Sequence, residues 1–207
     1  MIIPGLDIYT LIRVATILAS IVPAIQDMRT RLIDDRMWLI YSGPYAILIY
    51  SIYLGTVRLE DLYVGITFSI IIVVIMLIVS RFGLSLGEAD YIMFIVIAPL
   101  SFVFKPRIGD RLVLIPGFIQ ILFLSSLISI FYVILKCIYI NFHRFSEAST
   151  LREKFRLLYG YWVEDADDLK EIIIEDRGDK KFVTPGIPMI SFILLSMVIL
   201  TVIDLLL

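Results

Sequence analysis

Long uncharged stretches separated by short polar segments dominate this sequence. A helix needs about 20 mostly apolar residues to cross the hydrocarbon core of a bilayer, so each stretch of that length is a candidate membrane span. Six stretches qualify, at residues 8–26, 37–57, 62–80, 87–104, 112–135 and 182–203. The pattern therefore predicts an all-α membrane protein with six transmembrane helices.

The polar positions predict how the chain is divided. Residues 1–135 carry the first five predicted spans, residues 136–181 form a small polar region, and residues 182–207 carry the sixth span. No basic segment precedes the first apolar run and no small-residue cleavage site follows it, so we expect that run to remain as a mature helix.

The distribution of Lys and Arg predicts the orientation. If the spans alternate, one set of connections holds thirteen of these residues and the opposite set holds four. Positive residues favour the cytoplasmic side, so we expect the polar region between helices 5 and 6 to be cytoplasmic and both termini to lie outside. The short connections are evenly split, four to four, so the orientation depends mainly on residues 136–181.

Composition narrows the possible chemistry. The chain is 60% hydrophobic with a mean hydropathy of +0.96, which is typical of an integral membrane protein. A net charge of −2 and the lack of a basic, aromatic-rich patch argue against nucleic acid as a partner. A single cysteine, Cys137, excludes an internal disulfide and a thiolate zinc cluster, and His143 is the only histidine. We expect no cofactor and no metal, and the possible reactive groups narrow to carboxylates, hydroxyls and lysines.

Two aspartates stand at the ends of predicted spans. Asp27 closes the first span and Asp90 lies one turn inside the fourth. Because one ends an odd-numbered span and the other begins an even-numbered one, both are predicted at the same face of the membrane. An ionisable residue at such a position is a functional candidate, since a charge is expensive to bury there.

Paired carboxylates can hydrolyse a peptide bond without a metal. At separations of about 3 Å they hold one proton between them, so one accepts a proton from water while the other donates to the scissile group. Taken singly, each aspartate also has a structural interpretation. Asp27 is expected to pair with Arg29 or Arg31, and Asp90 to interact with the dipole of its helix.

Other polar residues have structural interpretations only. We expect Arg13 to reach the membrane interface toward Asp7, and Asp34 or Asp35 to cap the second helix near a kink at Gly43 and Pro44. Asp110 and Asp204 are likewise assigned structural roles.

The motif Gly87-Glu88-Ala89-Asp90 resembles the Gly-x-hydrophobic-Asp motif of GxGD-type membrane aspartyl peptidases. The segment Gln26 to Arg31, with Ile33 and Asp35, resembles the first-aspartate region of archaeal preflagellin and prepilin peptidases, and residues 182–188 are similar to the segment that leads into their last helix. Ala89 replaces the glycine of the strict motif. No lysine follows Asp90 closely, and the paired zinc-binding cysteines of the bacterial methylating enzymes are absent.

This resemblance implies an aspartic-type endopeptidase of the cell membrane. Its substrates would be archaellin and type IV pilin precursors with class III signal peptides, whose short basic leader is removed at the cytoplasmic face. The resemblance implies that Asp27 and Asp90 are catalytic and that Gly87, Glu88 and Ala89 line the approach of the substrate. The acidic residues Glu164, Asp165, Asp167 and Asp168 are a candidate receiver of the basic leader, on charge complementarity alone.

Two alternatives stay open at the level of sequence. A proton-coupled transporter also uses aspartates in membrane helices, although such acids are expected near the middle of the bilayer. A non-catalytic subunit of an archaellum or pilus assembly system would tolerate replacement of both aspartates.

Overall fold

The structure is a computed structural model that describes residues 7–81, 88–104, 107–108, 111–112, 116–164, 171–176 and 180–206. Of these described residues, 79% are helical, which agrees with the helical class that the sequence predicts. The described residues also include β-strands, so the all-α prediction is wrong for part of the polar region.

Three helices are long and apolar enough to cross a membrane. They are α1 (Ile8–Thr30), α5 (Gly117–Glu147) and α7 (Met189–Leu206). A shorter apolar helical segment covers Ile92–Phe104. The described residues thus support membrane association through three helices, and the number of six spans stays a prediction.

The residues of α1 separate into two faces. Buried positions recur every three or four residues, and α1 packs along α7. The opposite face exposes large apolar side chains, as expected for a helix in contact with lipid. The buried face is formed by Ile12, Arg13, Thr16, Ala19, Ser20, Pro23, Ala24 and Asp27.

The second predicted span is two helices. A 3-10 helix, Asp35–Tyr41, leads directly into α2, Ser42–Tyr53. The Asp34 side chain caps the first of these by accepting a hydrogen bond from the backbone N–H of Arg36 at 3.0 Å, so the predicted cap is Asp34. The helix type changes next to Gly43-Pro44, and Pro44 lies in the first turn of α2, where its missing N–H has no helical partner to lose.

The next helices pack as a pair. Helix α3 (Leu59–Arg81) contacts α4 (Glu88–Leu100), which continues as a 3-10 helix over Ser101–Phe104. Strands β1 (Arg107–Ile108) and β2 (Arg111–Leu112) then pair antiparallel.

Helix α5 begins at Gly117, where a Cβ atom would lie 2.2 Å from the carbonyl oxygen of Ser101, so only glycine allows this close packing. Asp110 lies outside the described residues.

The polar region has a fold of its own, which we call the polar lobe (residues 136–185). Helix α5 continues through residue 135 as far as Glu147 and is followed by α6 (Leu151–Tyr159). A three-stranded antiparallel sheet follows, with the strand order β3-β5-β4. Its strands are β3 (Tyr161–Val163), β4 (Glu171–Asp176) and β5 (Lys181–Pro185).

The last predicted span begins too early. Residues 182–185 belong to β5, and α7 starts only at Met189. Strand β5 ends at Pro185, and the intervening segment contains Gly186 and Pro188, so these residues interrupt regular hydrogen bonding. Phe182 is fully buried in the lobe. The apolar residues of β5 therefore extend the hydropathy signal of α7 without belonging to the helix.

Arg13 is a buried residue and does not reach toward the interface as expected. Its side chain forms an ion pair with Asp204 of α7, and its Nε donates to the carbonyl oxygen of Val103 at 2.8 Å. The position of Arg13 on the inward face of α1 determines this outcome, because a cation there requires internal partners. Asp204 has the structural role that its position predicts.

We expect Arg13→Met to lower the free energy of unfolding by about 1–3 kcal/mol, because it removes the cation that pairs with the half-buried carboxylate of Asp204. The double variant Arg13→Met/Asp204→Leu should recover much of that loss. Equilibrium unfolding in detergent micelles measures both effects. Unchanged stability of the single variant would contradict this account of the ion pair.

A second prediction concerns the start of α6. The carboxylate of Glu153 accepts hydrogen bonds from the backbone N–H groups of Ser149 and Thr150, and Thr150 lowers the pKa of Glu153 most. Because the pKa of Glu153 is lower in the folded state, the ionised cap stabilises the fold at pH values above the unfolded-state pKa of about 4.3. This stabilisation is lost as the pH falls through the folded-state pKa of Glu153. The amide NMR signal of Thr150 should titrate with a midpoint below about 4.3. Glu153→Gln should remove the titration, and a midpoint at or above the ordinary value would contradict it.

Candidate active site

Asp27 lies in the last turn of α1, on the face that packs inside the protein. Its residue surface is 6% exposed, whereas its neighbours Met28 and Arg29 are exposed. Asp27 continues the inward stripe of α1, three residues after Ala24. Its carboxylate is therefore directed toward other helices. Asp27 is not an exposed anchor at the membrane surface.

The carboxylate of Asp27 caps α7. Its Oδ2 accepts hydrogen bonds from the backbone N–H groups of Ile190 at 3.0 Å and Ser191 at 3.4 Å. The first N–H groups of a helix lack partners within the helix and carry a partial positive charge, so a carboxylate is a favourable ligand for them. The Ser191 hydroxyl also donates to the carbonyl oxygen of Ala24 at 2.8 Å. This cluster fastens the end of α1 to the beginning of α7.

Arg31 is the arginine that pairs with Asp27. Its Nη1 lies 3.9 Å from Asp27 Oδ1, and its Nη2 donates to the carbonyl oxygen of Gly186 at 3.0 Å. Arg31 ends α1 in the left-handed conformation, with φ 59°, and its N–H bonds the carbonyl oxygen of Asp27. This turn, together with the i,i+4 spacing, allows the guanidinium to lie beside the carboxylate. Arg29, the other predicted partner, is exposed.

The second predicted aspartate begins another helix. The backbone of Asp90 lies in the first turn of α4, which starts at Glu88, as the motif predicts. Gly87 and the side chains of Glu88, Ala89 and Asp90 lie outside what the structure describes. The described part of α4 contacts both α1 and α7.

A buried polar chain links α1 to α4. The hydroxyl of Tyr41 lies 2.8 Å from Ser20 Oγ on α1 and 3.2 Å from Met93 Sδ on α4. Met93 comes three residues after Asp90, and it is fully buried. The first turns of α4 are thus held against the inward face of α1.

The hydrogen bond from Arg13 to Val103 allows the levels of the two aspartates to be compared. From Arg13 to Asp27, α1 rises about 21 Å over 14 residues, at about 1.5 Å per residue. From Val103 back to Asp90, ten α-helical steps and three 3-10 steps of about 2.0 Å also span about 21 Å. The contacts Arg13–Val103 and Ser20–Tyr41–Met93 give α1 and α4 opposite directions. Ideal helix rises therefore put the backbones of Asp27 and Asp90 at similar levels, to within about one helical turn.

The structure describes one of the four acidic residues that are the candidate receiver of the basic leader. Glu164 is exposed, and Asp165, Asp167 and Asp168 lie outside the described residues. Two open clefts of about 430 and 370 Å³ in the polar lobe are both bordered by Arg156 and Phe182. No group of three or more His, Cys, Asp or Glu side chains within the described ranges is arranged to hold a metal ion.

The sequence analysis missed the contribution of the β5–α7 junction. The carbonyl oxygen of Gly186 and the N–H groups of Ile190 and Ser191 surround the Asp27–Arg31 pair with backbone atoms. The sequence does not show where backbone groups will converge, because every residue type carries them. The residues Pro185, Gly186 and Pro188 do indicate that a helix begins after them, and the first N–H groups of that helix need acceptors from elsewhere.

We expect Asp27→Ala to lower the free energy of unfolding by about 1–3 kcal/mol more than Asp27→Asn, because only the asparagine oxygen can accept from the N–H groups of α7. Equilibrium unfolding in detergent micelles compares the two variants. Equal stability would mean that the Asp27 cap does not stabilise the fold.

Comparison with known proteins provides no family assignment. No protein-family model matches the chain, and no curated protein matches it with statistical significance. The function must therefore be argued from the motifs and the geometry of this chain.

Proposed function

We propose that this protein is a membrane aspartyl endopeptidase in which Asp27 and Asp90 form the catalytic pair. The observation that carries the proposal is the buried carboxylate of Asp27 on the inward face of α1. The calculated similar level of the Asp90 backbone on α4 supports it. Its environment is preorganised by Arg31 and by the first turn of α7.

The two oxygens of Asp27 have different surroundings, which suits a catalytic group that also stabilises the fold. Oδ2 holds the N–H groups of Ile190 and Ser191, whereas Oδ1 is directed toward Arg31 at 3.9 Å, beyond hydrogen-bonding distance. Among the described residues, Oδ1 therefore retains its capacity to accept a proton from water.

The proposed reaction is hydrolysis by a shared-proton pair. One carboxylate removes a proton from water, whose oxygen attacks the scissile carbonyl carbon, and the other carboxyl group donates a proton to the carbonyl oxygen. Collapse of the tetrahedral intermediate breaks the C–N bond and returns one hydroxyl proton to the pair, and the amine leaves with the proton taken from water. The substrate must be extended at this point, because a helical amide bond is not accessible to water.

The proposed substrates are precursors with a short basic leader before a hydrophobic segment. This assignment extends the resemblance of Gln26 to Arg31 and of Gly87 to Asp90 to archaeal preflagellin and prepilin peptidases. Six transmembrane helices and a site at the cytoplasmic face belong to the same proposal. The bias of Lys and Arg toward residues 136–181 supports that orientation.

One observation favours a second candidate, a non-catalytic membrane subunit of an archaellum or pilus system. Asp27 already has a complete structural explanation as the cap of α7 and the partner of Arg31. In that case the aspartates would stabilise the fold, and replacing them would leave no chemical step to lose.

Cleavage of a precursor by the full-length protein in liposomes separates the two candidates. Asp27→Asn and Asp90→Asn should each lower the rate by at least about 10³-fold, because the two carboxylates act as a unit. The matched control is Asp34→Asn, which replaces an exposed aspartate near the same helix end and keeps a residue that caps well.

Thermal unfolding of each variant shows whether the fold is retained. Loss of cleavage in folded Asp27→Asn and Asp90→Asn proteins, with normal cleavage by Asp34→Asn, supports the peptidase. Retained cleavage in either of the first two variants refutes the catalytic pair.

A further inference from the structure

The guanidinium of Arg31 has hydrogen-bonding capacity that the described residues do not use. Its Nε and Nη1 atoms are buried and make no hydrogen bond to any residue that the structure describes, whereas Nη2 donates to the carbonyl oxygen of Gly186. Within the described residues, the only other buried side-chain nitrogen or oxygen without a partner is Asn141 Oδ1. Buried polar atoms are normally paired, so these N–H groups suggest that an acceptor belongs there that the described residues do not supply.

The backbone of Arg31 is also unusual. It is the only residue other than glycine with a positive φ in the described part of the chain. Glycine or asparagine commonly ends a helix in this conformation, and an arginine there is strained. The strain accompanies a side chain that lies back against the end of α1, beside Asp27. Strain and unpaired donors therefore coincide at the proposed catalytic carboxylate.

We propose that Arg31 is a catalytic residue that donates hydrogen bonds to the carbonyl oxygen of the peptide bond being cut. This inference depends on the proposed function of the Asp27–Asp90 pair. In the proposed reaction, water next to Asp27 attacks the carbonyl carbon of the substrate. Nη1 of Arg31 is 3.9 Å from the Asp27 carboxylate, so the carbonyl oxygen of that substrate is within reach of the guanidinium.

Such a donor assists the reaction of the carboxyl pair. When the water oxygen bonds to the carbonyl carbon, the π electrons of the C=O bond move to oxygen, and one carboxylate takes the water proton. The N–H groups of Arg31 stabilise the negative charge that develops on that oxygen while the other carboxyl group protonates it, and Arg31 keeps its own protons throughout. When the C–N bond breaks, the oxygen returns its proton to the pair, the C=O bond forms again, and the amine leaves with the proton taken from water.

Arg31→Lys, Arg31→Gly and Arg29→Lys test this role in the full-length protein in liposomes, with kcat and KM measured on the same precursor. Lysine retains the positive charge but lacks the planar fork, and glycine adopts the left-handed backbone without strain. Arg29 is the matched control, because it is an exposed arginine in the same helical turn.

We expect Arg31→Lys to lower kcat by about 10²-fold to 10³-fold with little change in KM, as for loss of one oxyanion donor. Arg29→Lys should behave as the wild type. Free guanidinium ion should restore part of the kcat lost in Arg31→Gly and should not restore Asp27→Asn, a result that a purely structural role of Arg31 does not predict.

A precursor with a thioamide at the scissile bond provides a second readout. Sulfur is a poorer acceptor than oxygen, so the wild type should prefer the ordinary amide by a larger factor than Arg31→Lys does. Equal preference in both proteins would overturn the role of Arg31, as would a kcat of Arg31→Lys within threefold of that of Arg29→Lys.

Two further results would also overturn it. If Arg31→Lys only removes a dependence of the rate on anionic lipid, then Arg31 binds a lipid phosphate. If Asp27→Asn or Asp90→Asn still cleaves, the proposed function fails together with this inference. Cleavage that needs both aspartates but not Arg31 refutes the inference alone.

Discussion

The hydrogen bonds between the Asp27 carboxylate and the first turn of α7 are the interaction on which the arrangement of this site depends. A charge on the inward face of α1 needs internal partners, and α7 supplies N–H groups that its own helix cannot satisfy. The carboxylate thus gives the N–H groups of α7 an acceptor, and these N–H groups stabilise the buried charge of Asp27. The same contact positions the β5–α7 junction, so that the carbonyl oxygen of Gly186 reaches Arg31 and the polar lobe is joined to the membrane helices at this point.

Polar contacts hold the helices in register at several levels. Near one end of α1, Arg13 binds Val103 and Asp204, and near the other end Asp27 binds α7. Between them, the Tyr41 hydroxyl bridges α1 and α4. Hydrogen bonds between membrane helices are individually modest, commonly below about 2 kcal/mol, but they determine which residues face each other. Apolar packing, which is similar in strength at many registers, does not determine this alone.

The sequence predicts the helical segments well where hydropathy and breakers agree. The start of α1 at Ile8, the cap at Asp34 and the position of Asp90 in the first turn of α4 follow from local chemistry. The sequence analysis does not predict the sheet of the polar lobe. The Glu171–Asp176 segment carries a β-branched run bounded by acids, which favours a strand, but its apolar and polar residues do not alternate. Hydropathy assigns the apolar residues of β5 to the last helix because it does not distinguish a buried strand from a span.

The sequence by itself determined the mostly helical class, the apolar character of the helices that are long enough to cross a membrane, and the identity of the two candidate aspartates, because these depend on residue type and local spacing. Only the tertiary structure decided which groups surround Asp27. Arg31 rather than Arg29 lies beside it because the left-handed end of α1 turns that side chain inward, and its remaining partners are backbone atoms of residues 186–191. Backbone N–H and C=O groups are common to almost every residue, so their convergence on one carboxylate is a property of the fold and has no signature in the sequence.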